Sequence, residues 1–340
     1  MGKIITFGEI MLRLMPEDGR RLLQNDRLEA TFGGGEANVA VSLANYGEDA
    51  AYVTALPDNA VAQACINSMR YFGVDTSMIL RQGERMGVYY VEKGQSQRPS
   101  KVIYDRKYSA ISQVKRGDFD WDKIFEGADW FHFTGITPAL SEELRVICLD
   151  ACQAAKKHGV TISCDLNYRK NLWSTQEAFD TMTKLVPYVD VCIANEEDAD
   201  KVLGIKAKNT DVDSGVLSAD GYREVAAEIS RKYGCSKVAI TLRSSISAND
   251  NKWAGMLYSS GEYYFSKSYD IRIWDRVGGG DSFGGGLIYA LHHGKSGQDA
   301  IEFAIAAPCL KHSIQGDFNR VTVSEVESLM HGSGSGRVQR

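Results

Sequence analysis

The chain has 340 residues, of which 44% are hydrophobic and 24% charged, the proportions of a globular protein with a sizeable core. Its formal net charge of −5 argues against a general nucleic-acid or membrane surface, because both partners are themselves acidic. No apolar run reaches membrane-spanning length, Lys3 to Ile10 lacks a signal-peptide core, and seven irregularly spaced cysteines fit neither a zinc site nor a disulfide scaffold, so a cytoplasmic protein with reduced core thiols is expected.

In chain order, Lys3 to Phe7 is β-branched and aromatic, stops at Gly8, and reads as a buried first strand. Residues 11–32 carry Met11, Leu12, Leu14 and later Leu22, Leu28, Ala30 and Phe32 in short alternating pieces, which suit short antiparallel strands. Gly33, Gly34, Gly35, Glu36, Ala37 and Asn38 open a helix that closes at Gly47. Ala50 to Leu56 is strand-like and Asp58 to Tyr71 helical, with Gly73 as the stop. Met86 to Glu92, which contains Tyr89, and Lys101 to Tyr108 are strands around a polar tip; with residues 11–32 they form a small sheet outside the main one. A period of two places Tyr104 and Arg106 on one face and Asp105 on the other.

The strand-helix alternation then resumes. Trp130 to Thr134 is a strand, and the helix after it has Ser141 as N-cap, Glu142 and Glu143 in its first turn, and Lys156, Lys157 and Gly159 at its end. Val160 to Asp165, Val189 to Ala194 and Lys237 to Leu242 are strands; Phe179 to Val186, Glu196 to Leu203 and Tyr222 to Tyr233 are helices. Residues 205–220 read as a polar surface loop, Met256 to Tyr258 and Tyr263 to Ser266 as a hairpin, and 281–293, 297–313 and 323–330 as closing helices. The expected fold class is α/β, a mainly parallel central sheet with helices on both faces plus a small β-sheet lid. Residues 1–330 form one domain, with lid strands from about 11–32 and 86–108, and residues 331–340 form a disordered tail.

Sites in such sheets gather at the carboxyl ends of the strands. Asn167 and Arg169, then Asn195, then Arg243 follow those ends, and Asp198 lies in the first turn of the helix after Asn195. Gly278, Gly279 and Gly280 precede Asp281 and an apolar helix, so their N–H groups can converge on an anion while the helix dipole keeps the Asp281 carboxylate ionised. An anion cradle beside a base suits phosphoryl transfer to a hydroxyl. A Walker A reading fails at Tyr289, and a Rossmann reading fails at Phe283, since each motif needs glycine there.

The segment from Asp275, D-R-V-G-G-G-D-S-F, resembles the second signature of the ribokinase-like (PfkB) carbohydrate kinases, usually D-T-x-G-A-G-D-x-F, and departs from it at Arg276 and Gly279. Gly33 to Asn38 resembles their first signature. The resemblance implies that Asp281 is the catalytic base, that Gly278, Gly279 and Gly280 form the anion hole, and that Gly34 and Asn38 contact sugar hydroxyls. Tyr104-Asp105-Arg106 with Ser109-Ala110, and D-x-N-x-R-x-x-L-W from Asp165 to Trp173, resemble the 2-keto-3-deoxygluconate kinases within that family. That implies a sugar-acid substrate facing Tyr89, Tyr104, Arg106 and Arg169, since paired arginine forks suit a carboxylate. It implies ATP toward Asn167, Asn195, Thr241, Arg243, Gly278 and Gly280, although the T-x-G-x-x-G turn of many members is absent at Thr241. It further implies Mg2+ near Asn195 and Asp198, where the family has N-x-x-E, a monovalent cation such as K+, and a homo-oligomer as a form open to exposed lid strands. A kinase of neutral fructose or ribose would have no use for both arginines. A sugar-binding protein without catalysis would have no need of Asp281.

Overall fold

Strand β1 (Lys3–Phe7) alternates its faces, and this period places the sheet between two helical layers. The computed structural model describes residues 1–24, 26–206 and 219–332. After β1 come β2 (Met11–Met15), β3 (Glu29–Gly33), α1 (Gly35–Asn45), β4 (Ala50–Leu56), α2 (Ala60–Tyr71), β5 (Ile79–Arg81), β6 (Val88–Glu92) and β7 (Lys101–Asp105). The middle of the chain holds α3 (Trp121–Ile124), β8 (Ala128–Thr134), α4 (Ile136–Ala139), α5 (Glu142–Lys157), β9 (Thr161–Asp165), α6 (Thr175–Leu185), β10 (Val191–Ala194), α7 (Glu196–Leu203) and α8 (Ala219–Tyr233). Then follow β11 (Lys237–Ser245), β12 (Asp250–Ser259), β13 (Glu262–Phe265), β14 (Tyr269–Arg272), α9 (Gly279–His292), α10 (Gly297–Lys311) and α11 (Val323–Met330).

The main sheet runs β13-β12-β11-β10-β9-β8-β1-β4-β5, with β14 also on β12. It is parallel from β11 to β5 and antiparallel at β12, β13 and β14. Ile5, Phe7, Phe131, Ile162, Cys192 and Val238 pack toward α5, α6, α7 and α8, while Ile4, Trp130, Ile193 and Ala239 pack toward α1, α9 and α10. On that second side Gly285 and Gly286 let α9 lie close against α1 and α10, since a Cβ on Gly285 would stand 2.7 Å from the Ser42 Cβ. The lid is a separate sheet, β3-β2-β6-β7, with β2 and β6 parallel and the outer pairs antiparallel.

Several boundaries move for local reasons. α6 begins at Thr175 because Ser174 and Glu177 close a capping box ahead of it. β11 runs on to Ser245, past the Leu242 where the sequence pattern ends the strand, because β12 pairs with it as far as Ser245 opposite Asn251. β5 and β14 are short strands without a clear period of their own, and each is held by one neighbour. In β2 the buried residues are Met11, Arg13 and Met15, while Leu12 and Leu14 are half-buried, the reverse of what an apolar face would predict.

All seven cysteines are free, six of them buried. No helix among the described residues is long and apolar enough to cross a membrane. Residues 207–218 and 333–340, which carry most of the expected surface loop and tail, lie outside the described residues, and Ala219 and Asp220 belong to α8.

Candidate active site

The carboxyl ends of β8, β9, β10 and β11 open into a cavity of about 1220 Å³, roofed by the lid sheet and closed on one side by the start of α9. Gly34, Asn38, Tyr89, Tyr104, Arg106, Asn167, Arg169, Asn195, Asp198, Thr241, Arg243, Gly278, Gly279, Gly280 and Asp281 all line it, although they come from segments far apart in the chain.

Gly278 caps α9 with φ 84°, in the left-handed region, and a Cβ there would overlap the Asp317 carbonyl oxygen. A Cβ on Gly279 would stand 2.6 Å from the His312 ring, whereas one on Gly280 would meet open space. No side chain caps α9, so its first N–H groups face the cavity without a side-chain acceptor. Asn38, one turn into α1, donates from Nδ2 to Asp281 Oδ2 at 2.6 Å, and the Gly34 N–H reaches Asn38 Oδ1 at 3.3 Å. Burial pushes the Asp281 carboxyl up to about 6; Asn38 opposes this, Asp317 and Glu36 add to it, and Arg169 pulls it down. A carboxyl poised near neutrality is suited to proton abstraction.

A second group of acids faces Asp281 from across the cavity. Asp165, at the end of β9, is held well above the usual carboxylate range by burial and then by the charges of Asp198 and Asp281, with Arg169 opposing. Burial raises Asp198 to about 6, and its Oδ1 accepts from the Tyr168 N–H at 3.0 Å. Asn195 Oδ1 accepts from the Asp198 N–H at 2.7 Å, so the amide caps α7. Between these groups Asn167 adopts φ 39°, a left-handed conformation that asparagine tolerates better than most side chains. Among the described residues no three His, Cys, Asp or Glu side chains are grouped closely enough to hold a metal by themselves. Carboxylates that repel one another fit a divalent cation held largely by water and phosphate oxygens.

The four residues expected to face a sugar acid divide in two. Arg106 is engaged inside the protein: its Nε donates to Glu9 Oε2 at 2.7 Å, and Ser109 donates to Glu9 Oε1 at 2.5 Å. The Tyr89 hydroxyl is buried and donates to Asp317 Oδ2 at 2.6 Å. Tyr104 stacks on Tyr89 at 6.0 Å and carries the Arg106 guanidinium 5.2 Å above its ring, with Asp105 turned away to Arg85. Arg169 is exposed at the cavity, donates to the Tyr168 carbonyl at 3.0 Å and has no carboxylate partner among the described residues.

Sequence reasoning missed the support beneath the site. Arg13 is 0% exposed; it donates to Asp317 Oδ1 at 2.5 Å and Asp275 Oδ2 at 2.6 Å, joining lid strand β2 to the segments on either side of Gly278. Glu36 is buried and accepts from the Thr134 N–H and from the Thr134 and Thr137 hydroxyls. His312 donates from Nδ1 to the Pro308 carbonyl at 2.5 Å, and burial lowers it to about 4, which leaves it neutral beside Gly279. Arg276, which stands where the kinase signature has threonine, is half-buried and donates to the Ala248 carbonyl at 3.1 Å, with the Arg243 charge nearby. The signal for Asp275 and Asp317 was present in the glycine motifs that contain them, but nothing in the sequence pairs them with Arg13.

The description "pfkB family carbohydrate kinase" matches residues 1–316. The chain belongs to the pfkB family of carbohydrate kinases. A 2-dehydro-3-deoxygluconokinase of Thermotoga maritima, solved by crystallography, superimposes on this pfkB kinase with a TM-score of 0.94 and 52% identity, covering 98% of this chain and 100% of that one. A 2-dehydro-3-deoxygalactonokinase of Haloferax volcanii is 33% identical over 98% of each chain. A 2-dehydro-3-deoxygluconokinase of Bacillus subtilis is 26% identical over 94% of this chain and 93% of its own length. The fold is therefore ribokinase-like, with the small sheet as a separate layer over the site.

Proposed function

We propose that this pfkB kinase transfers the terminal phosphoryl group of ATP to the terminal hydroxyl of 2-keto-3-deoxygluconate, giving the 6-phosphate and ADP. The observation that carries the choice of a sugar acid is Arg169, a guanidinium at the cavity in the loop after β9, with no carboxylate partner among the described residues. Its fork suits the substrate carboxylate, while Arg106 braces the lid corner through Glu9 and presents its remaining surface beside Tyr104.

In this reading Asp281 takes the hydroxyl proton, the hydroxyl oxygen bonds to the phosphorus, and the bond from phosphorus to ADP breaks. The Gly278 to Gly280 backbone stabilises charge on the transferring group. Asn38 holds the Asp281 carboxylate in place at 2.6 Å. Arg243 and Arg276 supply positive charge on the nucleotide side, where Thr241 and Asn167 also lie. Asn195 and Asp198, with Asp165 beside them, would hold Mg2+ through its waters, and the ion neutralises phosphate charge when bound. The lid excludes water from the reacting phosphoryl group.

The Haloferax relative supports a second reading, the C4 epimer 2-keto-3-deoxygalactonate. One assay separates the readings: ADP release measured on both sugar acids, fructose and ribose. The expected result is a kcat/KM on 2-keto-3-deoxygluconate at least about 10-fold above the neutral sugars, because one charge-assisted contact contributes roughly 1.5–3 kcal/mol. Arg169→Ala is expected to erase most of that margin with little change in ATP affinity. Equal kcat/KM on fructose and the sugar acid would sink the proposal.

A further inference from the structure

The family resemblance admits a monovalent cation, and such an ion needs free oxygens, commonly backbone carbonyls, to replace its hydration shell. Beneath Gly278 the oxygens are already occupied. Lys311, the last residue of α10, is 0% exposed, and its Nζ donates to the Gly316 carbonyl at 2.6 Å and the Ile314 carbonyl at 3.3 Å. Its Cε lies 3.2 Å from the place a Cβ on Gly278 would take, so the end of the lysine stem stands against the first residue of the phosphate cradle. The site does not fit an added ion.

The surrounding charges need a cation there. Asp275 and Asp317 are 1% and 3% exposed, and Arg13 neutralises only one of these two carboxylates; Lys93 approaches Asp275 to 4.0 Å from the solvent side. Lys311 is fully buried and has no carboxylate within ion-pair distance among the described residues; burial lowers its pKa, and the charges of Asp275 and Asp317 oppose this and favour its ammonium form. The geometry also links the lysine to the backbone that does the chemistry. Lys311 pins the Gly316 carbonyl, the next carbonyl along, that of Asp317, packs against the Gly278 Cα, and Gly278 at φ 84° aims the first N–H groups of α9.

We propose that Lys311 is a built-in monovalent cation: it positions the 314–317 turn and Gly278, adds positive charge under the anion hole, and makes phosphoryl transfer independent of K+ or Na+. An ion bound to the same carbonyls would do the same while free to dissociate; the lysine is tethered. This inference rests on the kinase reading above and makes Lys311 a positioning residue, since it acts through Gly278.

The test titrates KCl, NaCl and NH4Cl against tetramethylammonium chloride at constant ionic strength, with nucleotides as tetramethylammonium salts. It reads kcat in the ADP-release assay and, separately, the affinity for a non-hydrolysable ATP analogue by calorimetry. The parent enzyme is expected to show no cation dependence in either reading. Lys311→Ala is expected to lose about 10-fold or more in kcat, the scale of one charged hydrogen bond, and to regain most of it saturably with K+ or NH4+, with analogue affinity following. Activation of the parent by K+ overturns the proposal, as does a folded Lys311→Ala enzyme with parental kcat, or one that no cation improves. Should Lys311→Ala not fold, Lys311→Met keeps the stem without the charge; it is expected to lose kcat while KM for the sugar is unchanged, and parental kcat would overturn the idea. The calorimetric arm needs no turnover, so a failure of the sugar-acid reading shows itself only in the ADP-release arm.

Discussion

At the scale of single residues, Asp281 combines a catalytic advantage with a cost to stability. Its carboxyl titrates near 6 in the folded protein and near 3.8 when exposed, because burial disfavours the charge. Between those values the folded state binds more protons than the unfolded one, so stability falls as pH rises through that window and the penalty is complete above about pH 6. Activity has the opposite sign: the base must be ionised, so kcat/KM is expected to rise with pH through about 6 and level above it. Asp281→Asn keeps an oxygen for Asn38 but cannot take a proton. It is expected to lose about 10²- to 10⁴-fold in kcat. At pH 8 it should melt about 2 °C higher than the parent. A variant that turned over like the parent would remove Asp281 from the mechanism. The neighbouring glycines separate a cradle from a packing contact. Gly280→Val projects into open cavity and should abolish activity in a protein that melts like the parent, whereas Gly279→Val strikes His312 and should lower the melting temperature as well. Parental activity in Gly280→Val would mean that the first turn of α9 does not hold phosphate.

At the scale of elements, the telling connection runs from lid strand β2 to the start of α9 through Arg13. One guanidinium serves Asp275 and Asp317, which flank Gly278 in space, and Tyr89 on β6 adds a second lid contact to Asp317. The lid sheet and the phosphate cradle are therefore one hydrogen-bonded assembly. Removing the guanidinium strands buried charge, which commonly costs about 3–5 kcal/mol. Arg13→Met is thus expected to shift the urea midpoint strongly downward. Neutralising both acids in the same chain, with Asp275→Asn and Asp317→Asn added, should return a substantial part of that loss. If the single and triple variants were equally destabilised, the ion cluster would not be what the guanidinium supports.

For the whole molecule, the lid leaves an open edge. Among the described residues strand β7 pairs only with β6, and Val102, Ile103 and Tyr104 on it are 38%, 53% and 40% exposed. A strand with apolar side chains and an unpaired edge invites pairing with another chain. A dimer formed through the lid edge is the expected state in sedimentation velocity, and Ile103→Lys should shift the distribution toward monomer. A monomeric parent at all concentrations would leave β7 as a face for substrate alone.

The sequence by itself determined the alternation of strands and helices, the detached lid strands, and the glycine entry with its acid. These depend on local periodicity and backbone freedom, and α5 and α7 begin and end where their own caps and glycines place them. It determined which strand ends carry polar residues, and those residues do share one cavity. Only the tertiary structure decided how the charges are paired. Arg106 meets Glu9 across 97 positions and Arg13 meets Asp317 across 304, contacts that no local pattern encodes. The Arg13 side chain is buried because acids distant in the chain receive it, and that of Lys311 because the turn that follows it folds back onto its Nζ, while Arg169 lies exposed at the cavity without an ion-pair partner among the described residues. Backbone conformation follows from neighbours along the chain; the partner of a charge follows from the fold.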